Sequence, residues 1–297
     1  MSNLSITAGS APSQSTPIRK GATAASCAIA ILSMMLFTAS TGAAPLLWNQ
    51  LGSNAQVTNS AYGPNLGFYG GGGWPDVIGN PGYNPGVFGG ALTVGAGTYG
   101  TYDRVHNVVW NNVDQYLSPE RGTIDVWFKQ TQNPADYAHG IYRIFDGAYG
   151  LGSGVGIWSD ANGGLPTLAF SAGFGGTPTG VTYNISAHNG TWIHLAGVWD
   201  RAGIDGSLDT LRLYVNGAVA ASSNVSTWGT VVGQQADIGG GNDGDIAGKF
   251  AIDNLKVHDV AITDFSNRFD ESAIPEPSAV AMLLALGVAP LCRRRRR

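Results

Sequence analysis

The sequence predicts an all-β body built as a many-stranded antiparallel sandwich, and three observations carry that prediction. Glycine makes up 44 of 297 residues, about twice the usual share of ~7%, and no G-X-Y triplet recurs, so the glycines mark tight turns and not a collagen helix. Short runs of β-branched and aromatic residues recur between clusters of Gly, Asn, Asp and Pro, the pattern of strands separated by turns. No stretch of twelve or more residues carries apolar side chains at helical spacing. At 43% hydrophobic and 12% charged, the chain is too apolar to be disordered.

The first element is a leader over 1–43. Residues 1–20 are polar and end in Arg19-Lys20, Ala22 to Phe37 are apolar or small, and Thr38 to Ala44 are small. A basic start, a short apolar core and a small-residue zone make a secretory signal peptide. Cleavage is expected after Ala43, with Thr41 and Ala43 at the −3 and −1 positions. A retained anchor is the competing reading, but this apolar run falls short of the ~20 residues that a span prefers. Cys27 precedes the centre of the run instead of following it, which does not fit a lipoprotein leader.

A single domain is expected over 45–272, since no linker, heptad or long repeat interrupts it. Its clearest strands are Thr123 to Lys129, Leu168 to Ala172, Trp192 to Trp199, Thr210 to Val215 and Phe250 to Val257. Leu211, Leu213 and Val215 alternate with Arg212, Tyr214 and Asn216, so this strand is read with one buried and one wet face. Asn216-Gly217 is the dipeptide favoured in two-residue hairpin turns, so Ala218-Val219-Ala220 should return antiparallel. Thr263 to Phe269 reads as a short helix capped by Thr263.

Charge and cysteine usage bound the function. Residues 45–274 hold nine Lys and Arg against nineteen Asp and Glu, a net charge of −10. An acidic body lacks the basic footprint of a nucleic-acid binder. The two cysteines, Cys27 and Cys292, both lie outside this body, so it forms no internal disulfide. A body of this length can bury a full core without such cross-links.

The last element, 274–297, reads Ile274-Pro275-Glu276-Pro277-Ser278, then an almost wholly apolar run from Ala279 to Leu291, then Cys292 and Arg293, Arg294, Arg295, Arg296 and Arg297. The arginines would stay on the cytoplasmic side while the acidic body lies outside. As a helix the run rises only about 20 Å against ~30 Å of hydrocarbon, a weak permanent anchor and a serviceable transient one. Pro-Glu-Pro, an apolar segment and a terminal arginine cluster, in that order, resemble the PEP-CTERM sorting signal. The resemblance implies an exosortase-type membrane peptidase acting at the tail, a Gram-negative host, and delivery to the cell envelope, outer surface or extracellular matrix.

The body carries a second resemblance. Gly190-Thr191-Trp192-Ile193-His194-Leu195-Ala196, Leu211-Arg212-Leu213-Tyr214-Val215-Asn216-Gly217, Ile238-Gly239 and Phe250-Ala251-Ile252-Asp253-Asn254-Leu255-Lys256-Val257 follow one another in order. Gly89-Gly90-Ala91-Leu92 and Gly122 to Phe128 precede them. Together they resemble the laminin-G-like, concanavalin-A-like lectin/glucanase superfamily over nearly all of 45–270. This implies a two-sheet antiparallel jelly-roll sandwich, a fold shared by lectins, glycosidases, adhesion modules and plain spacers.

Retaining glucanases of that superfamily carry Glu-x-Asp-x-x-Glu, in which two carboxylates flank the glycosidic bond. Here Thr123 and Phe128 stand at the two glutamate positions around Asp125, so that mechanism is absent from this strand. No Gly-x-Ser-x-Gly elbow occurs. His194 reads as a packed, hydrogen-bonded core histidine, and His106, His139, His188 and His258 lack zinc spacing. Gly152-Ser153-Gly154-Val155-Gly156 lacks the lysine of a phosphate loop and reads as a turn.

Calcium is the metal that the residue types favour, because it takes six to eight oxygens from carboxylates, amides and carbonyls. Asp237, Asn242, Asp243 and Asp245 form the densest oxygen cluster, and calcium at loops of related domains supports them by analogy. Solvated turn aspartates are the competing reading, and Asp146, Asp160, Asp200, Asp205 and Asp209 are other candidate ligands. Of the eight tryptophans, Trp127, Trp192 and Trp199 lie in buried-looking strands. Trp74, with Tyr69 and Tyr83, lies in a loop-like stretch suited to stacking on a sugar ring; Trp158 and Trp228 are weaker candidates. The two matches to the glycosylation sequon, at Asn184 and Asn224, carry no weight in the bacterial setting that the tail's resemblance implies.

The sequence thus points to an exported, non-catalytic surface or matrix protein that binds carbohydrate or mediates adhesion. A structural surface protein without ligand, and a polysaccharide hydrolase or lyase using an aspartate pair, are the alternatives.

Overall fold

In the computed structural model, contacts divide the chain into 1–42 and 43–297. The structure describes residues 44–68, 82–94, 108–130, 141–149, 154–160, 167–239 and 250–270. Fifteen strands alternate along these residues: β1 (Leu47–Asn49), β2 (Gly67–Phe68), β3 (Gly82–Pro85), β4 (Gly90–Val94), β5 (Val108–Asn111), β6 (Arg121–Gln130), β7 (Ile141–Tyr149), β8 (Val155–Asp160), β9 (Thr167–Ala172), β10 (Thr179–Asn184), β11 (Trp192–Asp200), β12 (Leu211–Val215), β13 (Ala218–Ser223), β14 (Gln235–Ile238) and β15 (Phe250–His258).

They form two antiparallel sheets. The first runs β13-β12-β11-β6-β15-β4-β3, with β1 also paired to β15; the second runs β10-β9-β8-β7-β14-β5-β2. Runs of consecutive strands, β11-β12-β13 and β7-β8-β9-β10, are joined at the centre of each sheet to strands distant in sequence, β11 to β6 and β6 to β15, β7 to β14 and β14 to β5, as in a jelly roll whose two sheets close over one core. The strands expected from sequence are present, each extended by one to three residues or trimmed by one.

Alternation along the central strands sets the core. From β6 Ile124, Val126 and Phe128 point inward, from β11 Ile193, Leu195 and Trp199, and from β15 Phe250, Ile252, Leu255 and Val257. They meet Trp110, Phe145, Ile157 and Phe170 of the second sheet. Each fully buried side chain of this size contributes roughly 1.5–3 kcal/mol. Gly197 interrupts the inward row of β11 because the Phe170 ring from the opposite sheet lies where a Cβ would be.

The Asn216-Gly217 turn forms as expected, with φ of 54° and 86°, and β12 pairs antiparallel with β13. In β15 a bulge falls between Asp253 and Lys256. Asn254 there takes φ 55°, and its side chain accepts the Trp48 indole N–H. The bulge separates β4, paired at Phe250–Ile252, from β1, paired at Leu255–Val257.

Five expectations are corrected. Thr263 to Phe269 forms turns and not a helix; the Asp264 carboxylate accepts the Ser266 N–H at 2.9 Å, a local bond that competes with helix formation. Val155 and Gly156 lie within β8 and not in a turn. Trp192 is only half-buried, because β11 turns it to the face opposite the core. Trp228 is buried and its indole N–H donates to the Pro119 carbonyl at 2.8 Å, so it is structural. Finally, Tyr214 is buried where β12 was expected to be wet.

That last difference has one cause. After β15 the chain crosses the outer face of the first sheet as a strap, 259–270, and builds a second small core in which Ala196, Val198, Ile204 and Tyr214 pack with Phe265. The strap is pinned by Thr123, whose hydroxyl donates to the Val260 carbonyl at 2.7 Å and accepts the Ile262 N–H at 2.9 Å.

Candidate functional site

The outward positions of β6 are Thr123, Asp125, Trp127 and Lys129, and strand pairing sets what flanks them. On one side Trp127 is opposite His194 of β11; on the other, Asp253 of β15 is opposite Trp127 and His258 is opposite Thr123. Asp125 therefore lies diagonally between two histidines. Its two carboxylate oxygens are 3.4 Å from His194 Nε2 and 3.4 Å from His258 Nε2. All three side chains are buried beneath the strap.

Burial by itself pushes the Asp125 carboxyl up, but hydrogen bonds and charge from His194 and His258 outweigh it and hold the group well below the usual carboxylate range. The aspartate is thus an anion held between two imidazoles, without a second carboxylate partner among the described residues of β6. His194 is the packed, hydrogen-bonded histidine that its strand position predicted, but it sits in the outer layer, against Trp127, Tyr214's neighbour Phe265, and Asp125.

Aromatic rings surround this cluster. Trp127 meets His194 edge-on with centroids 5.5 Å apart, and Phe269 of the strap covers Trp127 at 4.9 Å. Phe88 adds a second edge at 6.3 Å. The turn carrying Phe88 is tied down by Asp253, whose Oδ2 accepts the N–H groups of Val87 at 2.7 Å and Phe88 at 3.0 Å. Gly86 in the same turn leaves room for this carboxylate, which lies where a Cβ would be.

On the second sheet another arrangement forms. Asp237 of β14 stands directly opposite Asp146 of β7, and both carboxylates are buried. Their strand neighbours Ala236 and Phe145 point into the core, so this pair faces away from it. Gln235 Nε2 donates to Asp237 Oδ1 at 2.9 Å. The expected oxygen cluster thus begins on a strand, and the structure joins Asp146 to Asp237, a pairing that their separation in sequence concealed. Asn242, Asp243 and Asp245 lie outside the described residues. Among the described residues no group of three or more His, Cys, Asp or Glu has metal-binding geometry.

Of the three aromatic residues proposed for sugar stacking, Tyr69 and Trp74 also lie outside the described residues. Tyr83, on β3, is half-buried against the core, and its hydroxyl donates to Asn54 Oδ1 at 2.6 Å. Burial pushes its pKa up to about 12. Asn54 opens a four-residue helix, α1 (Asn54–Val57), capped by Ser53. The leader with Ala43, and the tail with Pro275, Glu276, Pro277 and Arg293 to Arg297, lie outside the described residues.

The fold and the chemistry of its outer faces define a class, the two-sheet jelly-roll sandwiches of the laminin-G and concanavalin-A type. Residues 101–265 match the laminin G family of the concanavalin A-like lectin/glucanases superfamily, and the chain belongs to it. No relative among curated proteins matches the sequence.

Solved structures of similar fold include the receptor-binding domain of botulinum neurotoxin mosaic serotype C/D, with TM-score 0.55 and 13% identity over 76% of this chain and 50% of that one. The binding domain of botulinum neurotoxin DC, in complex with rat synaptotagmin II, gives 0.54 and 18% over 77% and 52%. A structure of botulinum neurotoxin type C, whose cell entry depends on interaction with two ganglioside molecules, gives 0.52 and 16% over 74% and 48%. The chain spans about half the length of these structures, and at such identities the likeness is one of fold.

Proposed function

We propose that this chain is an exported, non-catalytic carbohydrate-binding or adhesion module displayed at a bacterial cell surface or extracellular matrix. The observation that carries this reading is a jelly roll of the lectin/glucanase superfamily whose β6 presents an aromatic ring and a histidine-bound aspartate in place of a catalytic carboxylate pair. Thr123 is spent on the strap and Phe128 is in the core, so neither glutamate position of a retaining glucanase is replaced by a usable group. The toxin domains of similar fold, one bound to a synaptotagmin and one dependent on gangliosides, support a receptor-binding or saccharide-binding role by analogy.

Calcium is the proposed cofactor, held by Asp237, Asn242, Asp243 and Asp245, with Asp146 as an added ligand because it faces Asp237. Two carboxylates meeting across a ladder suit a hard divalent cation, whose charge offsets their repulsion. Trp74, Tyr69 and Tyr83 are the proposed saccharide contacts. Export rests on the leader ending at Ala43. Sorting rests on Pro275-Glu276-Pro277 and the arginine cluster: the tail holds the protein transiently in the inner membrane, where an exosortase-type membrane peptidase reads it.

The test is binding of the purified full chain to a polysaccharide panel, first with calcium and then with chelator. Saturable binding lost on chelation is the expected result. A folded sample that binds nothing in either condition would turn the reading to a structural surface protein. Turnover of a polysaccharide abolished by one Asp→Asn change would turn it to an enzyme.

A further inference from the structure

Two buried polar atoms on the outer face of the first sheet have no hydrogen-bond partner among the described residues: the Trp127 indole Nε1 and His194 Nδ1. Trp127 is 4% exposed and His194 1%. The indole N–H can only donate. His194 turns Nε2 toward the Asp125 carboxylate at 3.4 Å, so Nδ1 takes no part in that bond and is a second hydrogen-bonding site on the ring. Two unmet ring nitrogens therefore sit on rings whose centroids are 5.5 Å apart and inclined at 68°. Leaving both unmet in a buried layer is costly. A hydroxyl group, which both accepts and donates, is the kind of group that can meet the two together.

The surroundings point to what carries that hydroxyl. Phe269 lies over Trp127 with centroids 4.9 Å apart, yet Phe269 is itself 59% exposed. It lies one residue before the end of the described part of the strap, well beyond the Thr123 anchor at Val260 and Ile262. Phe269 can therefore lift without unpinning the strap. Its described partners are the Trp127 ring and the Arg268 guanidinium 4.8 Å above it. Trp192, half-buried, shares this face of β11 beside Lys129. A ligand fitted to this place needs an apolar ring face to lie on an indole and a hydroxyl at its edge, which is the chemistry of a pyranose.

We propose that the outer face of the first sheet is a saccharide subsite in which a pyranose ring takes the place of Phe269 over Trp127, and one of its hydroxyls bridges Trp127 Nε1 and His194 Nδ1. Phe269 is then a built-in occupant, and ligand and strap compete for the same indole. This subsite rests on the carbohydrate-binding reading but is separate from the calcium loop and from Trp74.

The test uses the purified, ¹⁵N-labelled full chain titrated with cellohexaose, mannohexaose and xylohexaose, with the Trp127 indole N–H resonance assigned through Trp127→Phe. At least one hexasaccharide is expected to shift that resonance. Trp127→Phe keeps an aromatic ring but removes the donor, and should weaken binding about tenfold. Phe269→Ala should tighten it several-fold, and this exposed position keeps the test decisive if Trp127→Phe fails to fold. Binding that leaves the Trp127 resonance in place and is unaffected by both variants would overturn the subsite while leaving the carbohydrate reading intact. Failure of all three sugars to bind either the wild type or Phe269→Ala would also overturn the subsite, and the polysaccharide panel would then decide the wider reading independently.

Discussion

Asp125 of β6 and His194 of β11 are one step out of register, Asp125 opposite Ala196 and His194 opposite Trp127, and this diagonal brings Nε2 to 3.4 Å from the carboxylate. With His258 matching it from β15, the ion cluster joins three strands of one sheet under the strap.

Asp125→Asn should destabilise the fold by about 3 kcal/mol, the order expected when one partner of a buried pair is removed. The wild-type pH dependence follows from the lowered Asp125 value. A carboxyl lowered in the folded state contributes stability that is fully present above its unfolded value of about 3.9 and is lost as pH falls toward the folded value. Urea unfolding from pH 6 to pH 2 checks this. The loss of stability below about pH 4 should be steeper in the wild type than in Asp125→Asn, and equal slopes would contradict the coupling.

Thr123→Val keeps shape and removes both bonds that pin the strap. A cost of about 1–3 kcal/mol is expected, since Val260 and Ile262 would each lose a partner. Limited proteolysis should cut within 259–270 sooner than in the wild type, with the two sheets remaining protected. Uniform digestion of both proteins would argue that the strap is held elsewhere.

Calcium should raise the thermal midpoint of the full chain, by binding the folded state alone. Asp237→Asn should abolish that rise and Asp146→Asn should reduce it. Scanning calorimetry with calcium and with chelator makes the measurement, and a rise of the same size in Asp237→Asn would remove Asp237 from the ligand set.

Tyr83 should ionise late. Its pKa of about 12 predicts that, in a spectrophotometric titration, Tyr83→Phe removes one tyrosine from the most alkaline phase and none from the phase near 10, the ordinary tyrosine value.

Gly197→Ala places a methyl group against the Phe170 ring. Overpacking at the junction of the two sheets should cost about 1–3 kcal/mol, read as a lower denaturant midpoint at unchanged slope. Phe170→Leu in the same chain should restore part of the loss.

Much of this fold is legible in one dimension because its signals are local. Val126 and Phe128 alternate with Asp125 and Trp127, and strand periodicity alone assigns them to opposite faces. Asn216-Gly217 sets the β12–β13 hairpin because a two-residue turn needs two positive φ values that few other dipeptides supply. The glycine-rich sequence between strands likewise excludes long helices before any contact is known.

What alternation cannot say is which face meets water. Alternation along β12 predicts a wet Tyr214 and the apolar look of β11 predicts a buried Trp192, but Phe265 of the strap packs on Tyr214 while Trp192 is half-buried on the outward face. The Asp125–His194 pair spans 69 residues of sequence, and Asp146 faces Asp237 only because β7 and β14 are sheet neighbours. Periodicity and turn chemistry suffice for the all-β class, the main strands and the split of each strand into two faces. The histidine-bound aspartate, the carboxylate pair and the indole beneath Phe269 come instead from strand order and the path of the last segment, which bring together residues that no local pattern relates.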